Sequence, residues 1–441
     1  MFYYDLLHKG KTSMIKIKRI NEAKEEIKRL EERKLDLSKV MPSVEEIIES
    51  VKKLGDKAVL SYTKIYDGVE LKKEELKVSN EEIVDAYKQI DKSTLEAIRK
   101  SIKNIESFQK KQLQELWFTK IDEGVLAGQF TRAIESVGIY IPGGKASYPS
   151  TVLMTAVPAK VAGVSKIILC TPPNPMKKID PRVLVASKEV GVDSIYKVGG
   201  AQAIAAMAFG TETIPKVDKI IGPGNIYVTA AKILVSKEVA IDFPAGPSEI
   251  LILADETANP DYIAIDLISQ AEHDPEALAI LITSSEELAK SVLEKINSIC
   301  KDIKRKEIIQ ASLKNKGIII ISEEIEDSIE LINRIAPEHL QIMIKNPLDI
   351  IEKITNVGAI FIGDYSPCAL GDYSAGVNHV LPTSGYAKVY SGLSVRDFVK
   401  VIDVLYCTKE GYSNIANLAA ILAKQEGLEG HAKAILLRLL K

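Results

Sequence analysis

Residues 137–171, VGIYIPGGKASYPSTVLMTAVPAKVAGVSKIILCT, run from a short β-branched segment through a Gly/Pro turn and a helical stretch into a second β-branched segment. A strand, a helix and a strand at this spacing make a βαβ unit, and so a parallel sheet. Working outward, SIYKV (194–198) and KIIG (219–222) repeat the strand pattern, separated by PRVLVASKEVG and AQAIAAMAFG, and NIYVTAAKILVSKEV follows the fourth run. After AIDFPAGPSE (240–249) the pattern restarts with ILILAD, ALAILITS, GIIIIS, HLQIMI and GAIFIG. The expected fold is α/β, with two sheets of similar size side by side and a Gly/Pro-rich hinge at Phe243–Pro247.

Upstream, residues 14 to about 125 carry apolar residues at three- and four-residue steps with Glu and Lys between them, as in NEAKEEIKRLEERK. This reads as a helical layer without clustered chemistry, packed against something else. From about Thr383 the chain again reads as helical, in a tail too short to bury much alone. The expected division is 1–125 helical, 130–245 first α/β domain, 246–383 second α/β domain, and 384–441 a tail docking on the body or on another subunit.

The 441 residues allow two or three cores, and 46% hydrophobic with 27% charged residues is ordinary for a globular chain. No apolar run approaches the roughly 18 residues of a membrane span. Lys plus Arg number 58 against 60 Asp plus Glu, interleaved along the helices, which argues against a nucleic-acid surface. Cys170, Cys300, Cys368 and Cys407 show no metal-ribbon spacing, so a reducing, cytoplasmic setting is expected. MFYYDLLHKGKTS lacks the pattern of a signal peptide, and Met14 is an alternative start. The Ile- and Lys/Glu-rich composition hints at a thermophile.

Three Gly-rich turns, YIPGGKASYPS, VGGAQAIAA and IGPGNIYVTAAK, fall where strands end, the usual place for ligands in open α/β sheets. None is G-x-G-x-x-G, so the usual dinucleotide fingerprint is missing. GPGN presents Asn225 and the following amides.

The five histidines are His8, His273, His339, His379 and His431, and the last four sit beside loop-forming or acidic residues. In SQAEH (269–273) a three-residue step puts Gln270 and His273 on one face of a last helical turn, where both can reach one cation. Two groups do not close a tetrahedral site. Asp372 in LGDYSAGVNH, read as a Gly-rich loop, and His431 in the tail are the best further donors. This mixed N/O set suits Zn²⁺ and would accept Mn²⁺ or Co²⁺. The plainer reading of Gln270 and His273 is a helix C-terminal histidine favoured by the helix dipole. Glu338 and His339, adjacent at the start of a strand, can flank one cleft as two bases for two proton transfers.

The motifs YIPGG, GGAQAIAA, GPGNIYVTAAK, DFPAGPSE, SQAEH, PEHL, GDYSAGVNHVLPTSG, SGLSV and EGLEGHA occur in the order seen in the histidinol dehydrogenase family, which the chain resembles over most of its length. The resemblance implies two Rossmann-like domains and a homodimer with shared active sites. It also implies oxidation of L-histidinol to L-histidine through histidinal with Zn²⁺ and two NAD⁺, the last two steps of histidine biosynthesis. Gln270, His273 and Asp372 would be zinc ligands, with His431 donated by the partner's tail. His339 would be the base in both hydride-transfer steps, and Glu338 would activate water for the aldehyde step. Tyr140, Gln202 and Asn225 would contact NAD⁺, while Ser248, His379 and Glu426 would line the substrate pocket with the metal ligands and His339. Cys368 stands where the family often carries a glutamate near the substrate. That is a tolerated variation, or a sign of another amino alcohol or diol; Cys368 as a thiohemiacetal-forming nucleophile is the less favoured thought. The rival classes are a zinc hydrolase using Glu338, which leaves the nucleotide-type units idle, and a non-catalytic scaffold, which should have lost a ligand.

Overall fold

A computed structural model describes residues 14–143 and 147–440. His8, the N-terminal stretch before Met14, and Gly144 of YIPGG lie outside the described residues.

In chain order the strands are β1 Lys16–Arg19, β2 Trp117–Asp122, β3 Val125–Ala133, β4 Ser136–Tyr140, β5 Lys166–Thr171, β6 Ser194–Lys197, β7 Lys219–Ile221, β8 Ala240–Ile241, β9 Glu249–Ala254, β10 Leu278–Thr283, β11 Ile318–Ile321, β12 His339–Met343, β13 Ala359–Ile362 and β14 Val399–Cys407. A five-stranded parallel sheet has the order β6-β5-β4-β7-β8, and a six-stranded one the order β1-β11-β10-β9-β12-β13. Counted within each unit, both follow 3-2-1-4-5, the doubly wound order. The α/β expectation of two parallel sheets holds, and nine of their eleven strands lie in the β-branched runs; β8 falls in AIDFPAGPSE, read as the break between the two units, and β1 in the stretch read as helical. Those runs are continuously apolar because helices cover both faces. Two buried clusters flank the first sheet and two the second.

The N-terminal helices form the expected covering layer. Met41–Leu54 packs through Val44, Ile47, Ile48 and Val51 on the helices Gly200–Phe209 and Ile226–Val235 of the first unit. Lys92–Lys110 packs Ile98 and Ile105 on Pro149–Ala162. That region is not helical throughout, however. Ile15 and Ile17 alternate with Lys16 and Lys18, a period of two, and the chain there forms β1 at the edge of the second sheet, pairing Lys16 with Ile318. β2 likewise lies within the stretch read as helix.

The tail departs further from a helical reading. β14 pairs antiparallel with β3 along nine residues, from Val399↔Ala133 to Cys407↔Val125, and β3 pairs with β2. This three-stranded ribbon carries the helices Lys409–Gln425 and Glu429–Leu436, which bury Ala416, Ala420 and Ala432. Gly411 crosses Gly124 so closely that a Cβ on Gly411 would sit 2.4 Å from the Gly124 carbonyl carbon. Trp117, Phe118, Ile121, Leu405, Tyr406, Leu418, Ile421 and Leu422 remain exposed. Among the described residues no helix is long and apolar enough to cross a membrane.

Candidate active site

The carboxyl end of the first sheet faces the amino end of the second across a cavity of about 520 Å³, a size suited to a small organic molecule. One wall carries Thr151, Gly224, Asn225 and Tyr227, and the other Ser248, Gln270, His273, Glu338, His339, Asp372 and His379.

Glu338 and His339 lie where β12 begins, opposite the start of β9, with His339 in register with Ile250. Both are almost fully buried, at 5% and 4% exposure. The ring Nδ1 lies 2.8 Å from the carbonyl oxygen of Glu249. A carbonyl can only accept, so Nδ1 carries the proton and Nε2, which has no hydrogen-bond partner among the described residues, is the atom left to gain or lose one. Glu338 accepts the Glu249 N–H at 2.7 Å and approaches His339 Nδ1 at 3.5 Å. Burial pulls the His339 imidazole down, but the Glu338 and Asp372 carboxylates outweigh it and raise it to about 9. Burial keeps the Glu338 carboxyl above its usual range despite the opposing pull of His339. Two carboxylates facing one imidazole hold a proton at the site.

The helix Pro260–Ala271 ends just short of His273, but the His273 N–H reaches back to the Gln270 carbonyl at 3.2 Å, so the turn still brings both side chains to the cavity. Asp372 comes from a short helix, Cys368–Tyr373, and not from the expected loop. Among the described residues the side chains of Gln270 and His273 have no hydrogen-bond partner. Partial desolvation lowers the His273 pKa although the residue is open to the cavity, so the imidazole is neutral near pH 7, as a metal ligand must be. Among the described residues no three His, Cys, Asp or Glu side chains lie together closely enough to hold a metal by themselves. An amide oxygen, a neutral imidazole and a carboxylate on one cavity nevertheless fit a borderline cation that takes a further ligand from elsewhere. Glu426 and His431 are exposed on the tail and outside this cavity.

His379 is fixed at both ring nitrogens. Nδ1 donates to the Asp372 carbonyl at 2.9 Å, and burial lowers its pKa, so the neutral Nε2 accepts the Thr151 hydroxyl at 3.3 Å. That bond joins the two halves of the chain. Cys368, by contrast, is buried with Phe361 in the second unit's core and does not line the cavity. Burial, with Asp372, Asp266 and Glu338 nearby, holds its thiol well above the usual range, so it is not poised as a nucleophile.

The candidates for nucleotide contact divide. Asn225 lies on the cavity wall, and its Oδ1 caps the next helix by accepting from the N–H groups of Tyr227 and Val228. Tyr140 and Gln202 are buried beneath the Gly-rich turns, outside the cavity lining. The Tyr140 hydroxyl accepts the Gly200 N–H at 3.1 Å, and both amide atoms of Gln202 are buried without a partner among the described residues, an orphaned pair that fits a polar ligand. The GPGN turn itself is clamped. Gly222 has φ +116°, and a Cβ there would come within 2.1 Å of the Tyr140 carbonyl oxygen. Its N–H donates to Asp242 at 2.8 Å, and its carbonyl accepts from Lys232 at 3.0 Å. Lys232 and Asp242 form a fully buried ion pair.

Sequence reasoning missed several buried polar residues behind the site. Glu249, Arg33 and the Asp266–Gln341 pair, at 2.9 Å, all lie there. A carboxylate opening an apolar strand, as in SEILILA, was the available signal for Glu249, since a buried charge needs a partner.

Comparison with known proteins agrees with this fold. The family model described as histidinol dehydrogenase matches residues 30–439. A histidinol dehydrogenase from Methanocaldococcus jannaschii is 50% identical over 431 residues, covering 97% of this chain and 99% of the relative. One from Caldanaerobacter subterraneus subsp. tengcongensis is 52% identical over 405 residues, covering 92% and 94%. The crystal structure of histidinol dehydrogenase from Elizabethkingia anophelis superposes with a TM-score of 0.92 at 41% identity, covering 97% and 99%. Two doubly wound units with a cavity between them that gathers His, Glu and Asp side chains, and relatives this close, make the protein an oxidoreductase of the dehydrogenase class. Within that class, the chain belongs to the histidinol dehydrogenase family.

Proposed function

We propose that the protein oxidises L-histidinol to L-histidine through L-histidinal, a four-electron reaction that closes histidine biosynthesis, in the cytoplasm. The reading is supported above all by one observation: Gln270, His273, Glu338, His339, Asp372 and His379 converge on a single cavity in a member of this family. With it goes a division into residues 1–125, 130–245, 246–383 and 384–441. The two Rossmann-like middle domains make the site, and the last segment serves a second copy of the chain.

Gln270, His273 and Asp372 would hold Zn²⁺ together with His431 of the partner subunit, and Tyr140, Gln202 and Asn225 would contact NAD⁺. When bound, the metal would supply a Lewis acid for the amino alcohol, and two NAD⁺ in turn would each accept one hydride. The chain's own residues do the rest. His339 takes the hydroxyl proton at Nε2 in the alcohol step and serves again in the aldehyde step. Glu338 takes a proton from the water that hydrates the aldehyde, and Ser248, His379 and Glu426 position the substrate. Holding the carbinol in one orientation in a shielded cavity accounts for much of the rate.

The test is the NADH yield per molecule of L-histidinol, run to completion with zinc and again after chelation. Two NADH, lost on chelation and restored by zinc, is the expected result. One or none points to oxidation of another amino alcohol or diol.

A further inference from the structure

The catalytic pair is braced from behind by a residue in the stretch that the sequence showed as featureless. Arg33, just beyond the helix Lys24–Glu31, grips Glu249 with both arms of its guanidinium, Nε to Oε1 and Nη2 to Oε2, each at 2.7 Å. Both side chains are largely buried, at 16% and 4% exposure. A planar fork on a planar carboxylate fixes orientation as well as distance.

Glu249 passes that constraint to the site by four bonds. Its N–H donates to the Glu338 carboxylate at 2.7 Å, and its carbonyl accepts His339 Nδ1–H at 2.8 Å. Its own carboxylate accepts the Glu338 N–H at 3.3 Å and the Ser384 N–H at 2.9 Å. Arg33 also donates to the carbonyls of Ile335 at 2.8 Å and Ala336 at 3.4 Å.

Two of the tethered residues are strained. Ala336 and Ser384 have φ of +51° and +55°, left-handed values that residues with a Cβ adopt only when their surroundings hold them there. Ala336 and Pro337 lead directly into Glu338, and Ser384 follows Thr383 on the cavity wall. Neither Arg33 nor Glu249 lines that cavity; both open on a separate hollow of about 330 Å³.

We infer that Arg33 and Glu249 are positioning residues, a buried clamp that sets the Glu338 carboxylate and the His339 ring in their working orientation. The inference rests on the roles given above to Glu338 and His339. A displacement of about 1 Å can cost roughly 100-fold in rate, so the clamp should show in turnover more than in binding.

Arg33→Met, Arg33→Lys, Glu249→Gln and the double variant Arg33→Met/Glu249→Gln would be compared as full-length, zinc-loaded enzymes. The readouts are kcat per zinc-loaded site, KM for L-histidinol and NAD⁺, and Tm. For Arg33→Met we expect kcat to fall about 10- to 100-fold with KM within about threefold. Arg33→Lys, which keeps the charge but loses the fork, should fold and recover only part of the rate. The double variant should be no slower than the worse single one, because both act through one clamp. Unchanged kcat with a lowered Tm would reduce the pair to a structural strut and overturn the inference. Glu338→Gln and His339→Asn, measured alongside, separate the two failures. If these keep full turnover, the proposed roles fall and the clamp with them. If they lose it while the Arg33 and Glu249 variants do not, the clamp alone is wrong.

Discussion

His339 Nε2 and Asp372 Oδ1 lie 3.8 Å apart, too far for a good hydrogen bond with each other and close enough for one hydroxyl beside them to reach both. A substrate hydroxyl there would meet the base directly. His339→Asn should keep its zinc and its KM for NAD⁺ while alcohol oxidation falls by on the order of 10²–10⁴. Metal analysis with steady-state NADH assays checks this, and a near-normal rate would remove His339 from the chemistry.

The elevated His339 pKa has a sign that can be tested. A base works unprotonated, so a value raised from 6.5 to about 9, against burial and chiefly by Glu338, means that activity falls as pH drops below about 9. The acid limb of kcat/KM should therefore lie well above 6.5. In Glu338→Gln the raising carboxylate is gone, so the limb should move to lower pH while oxidation of supplied L-histidinal slows more than that of L-histidinol. Equal damage to both steps would contradict separate roles for the two residues.

Removing residues 427–441 should abolish zinc retention and activity while the subunit stays folded. The described residues of this segment are mostly exposed, with Ala432 buried among them, and the cores of both units lie upstream. Circular dichroism and metal content distinguish the cases, and full activity in the truncated chain would refute a shared site.

Lys232→Met should destabilise the protein by about 3–5 kcal/mol, because it strands a buried carboxylate at Asp242. Adding Asp242→Asn should recover much of that loss, as thermal unfolding would show. Both variants should raise KM for NAD⁺, since the pair holds Gly222 at the start of the GPGN turn.

What could be read in the sequence follows from the range of the forces involved. Nine strands of the two sheets were legible because burial on two faces writes an apolar run into adjacent residues, whereas β8, two residues long, writes none. β1 was not legible, since its four residues, Lys-Ile-Lys-Arg, are easily absorbed into a neighbouring helical pattern. β14 was hidden because most of its residues are exposed in the single chain, which erases the in-and-out alternation. Within the site, Gln270 and His273 stood out through local spacing, and Glu338 and His339 through adjacency. Arg33 and Glu249, 216 positions apart, are joined by the fold, and nothing near either one announces the other.

The ribbon that carries the tail away from its own cavity has a genetic consequence. If each cavity is completed by its neighbour's tail, two differently crippled chains can repair each other. A His273→Ala chain keeps a good tail, and a His431→Ala chain keeps a good cavity. Co-expressed, they would form mixed pairs with one intact site and one doubly damaged site. A histidine auxotroph would then grow on the two alleles together though on neither alone.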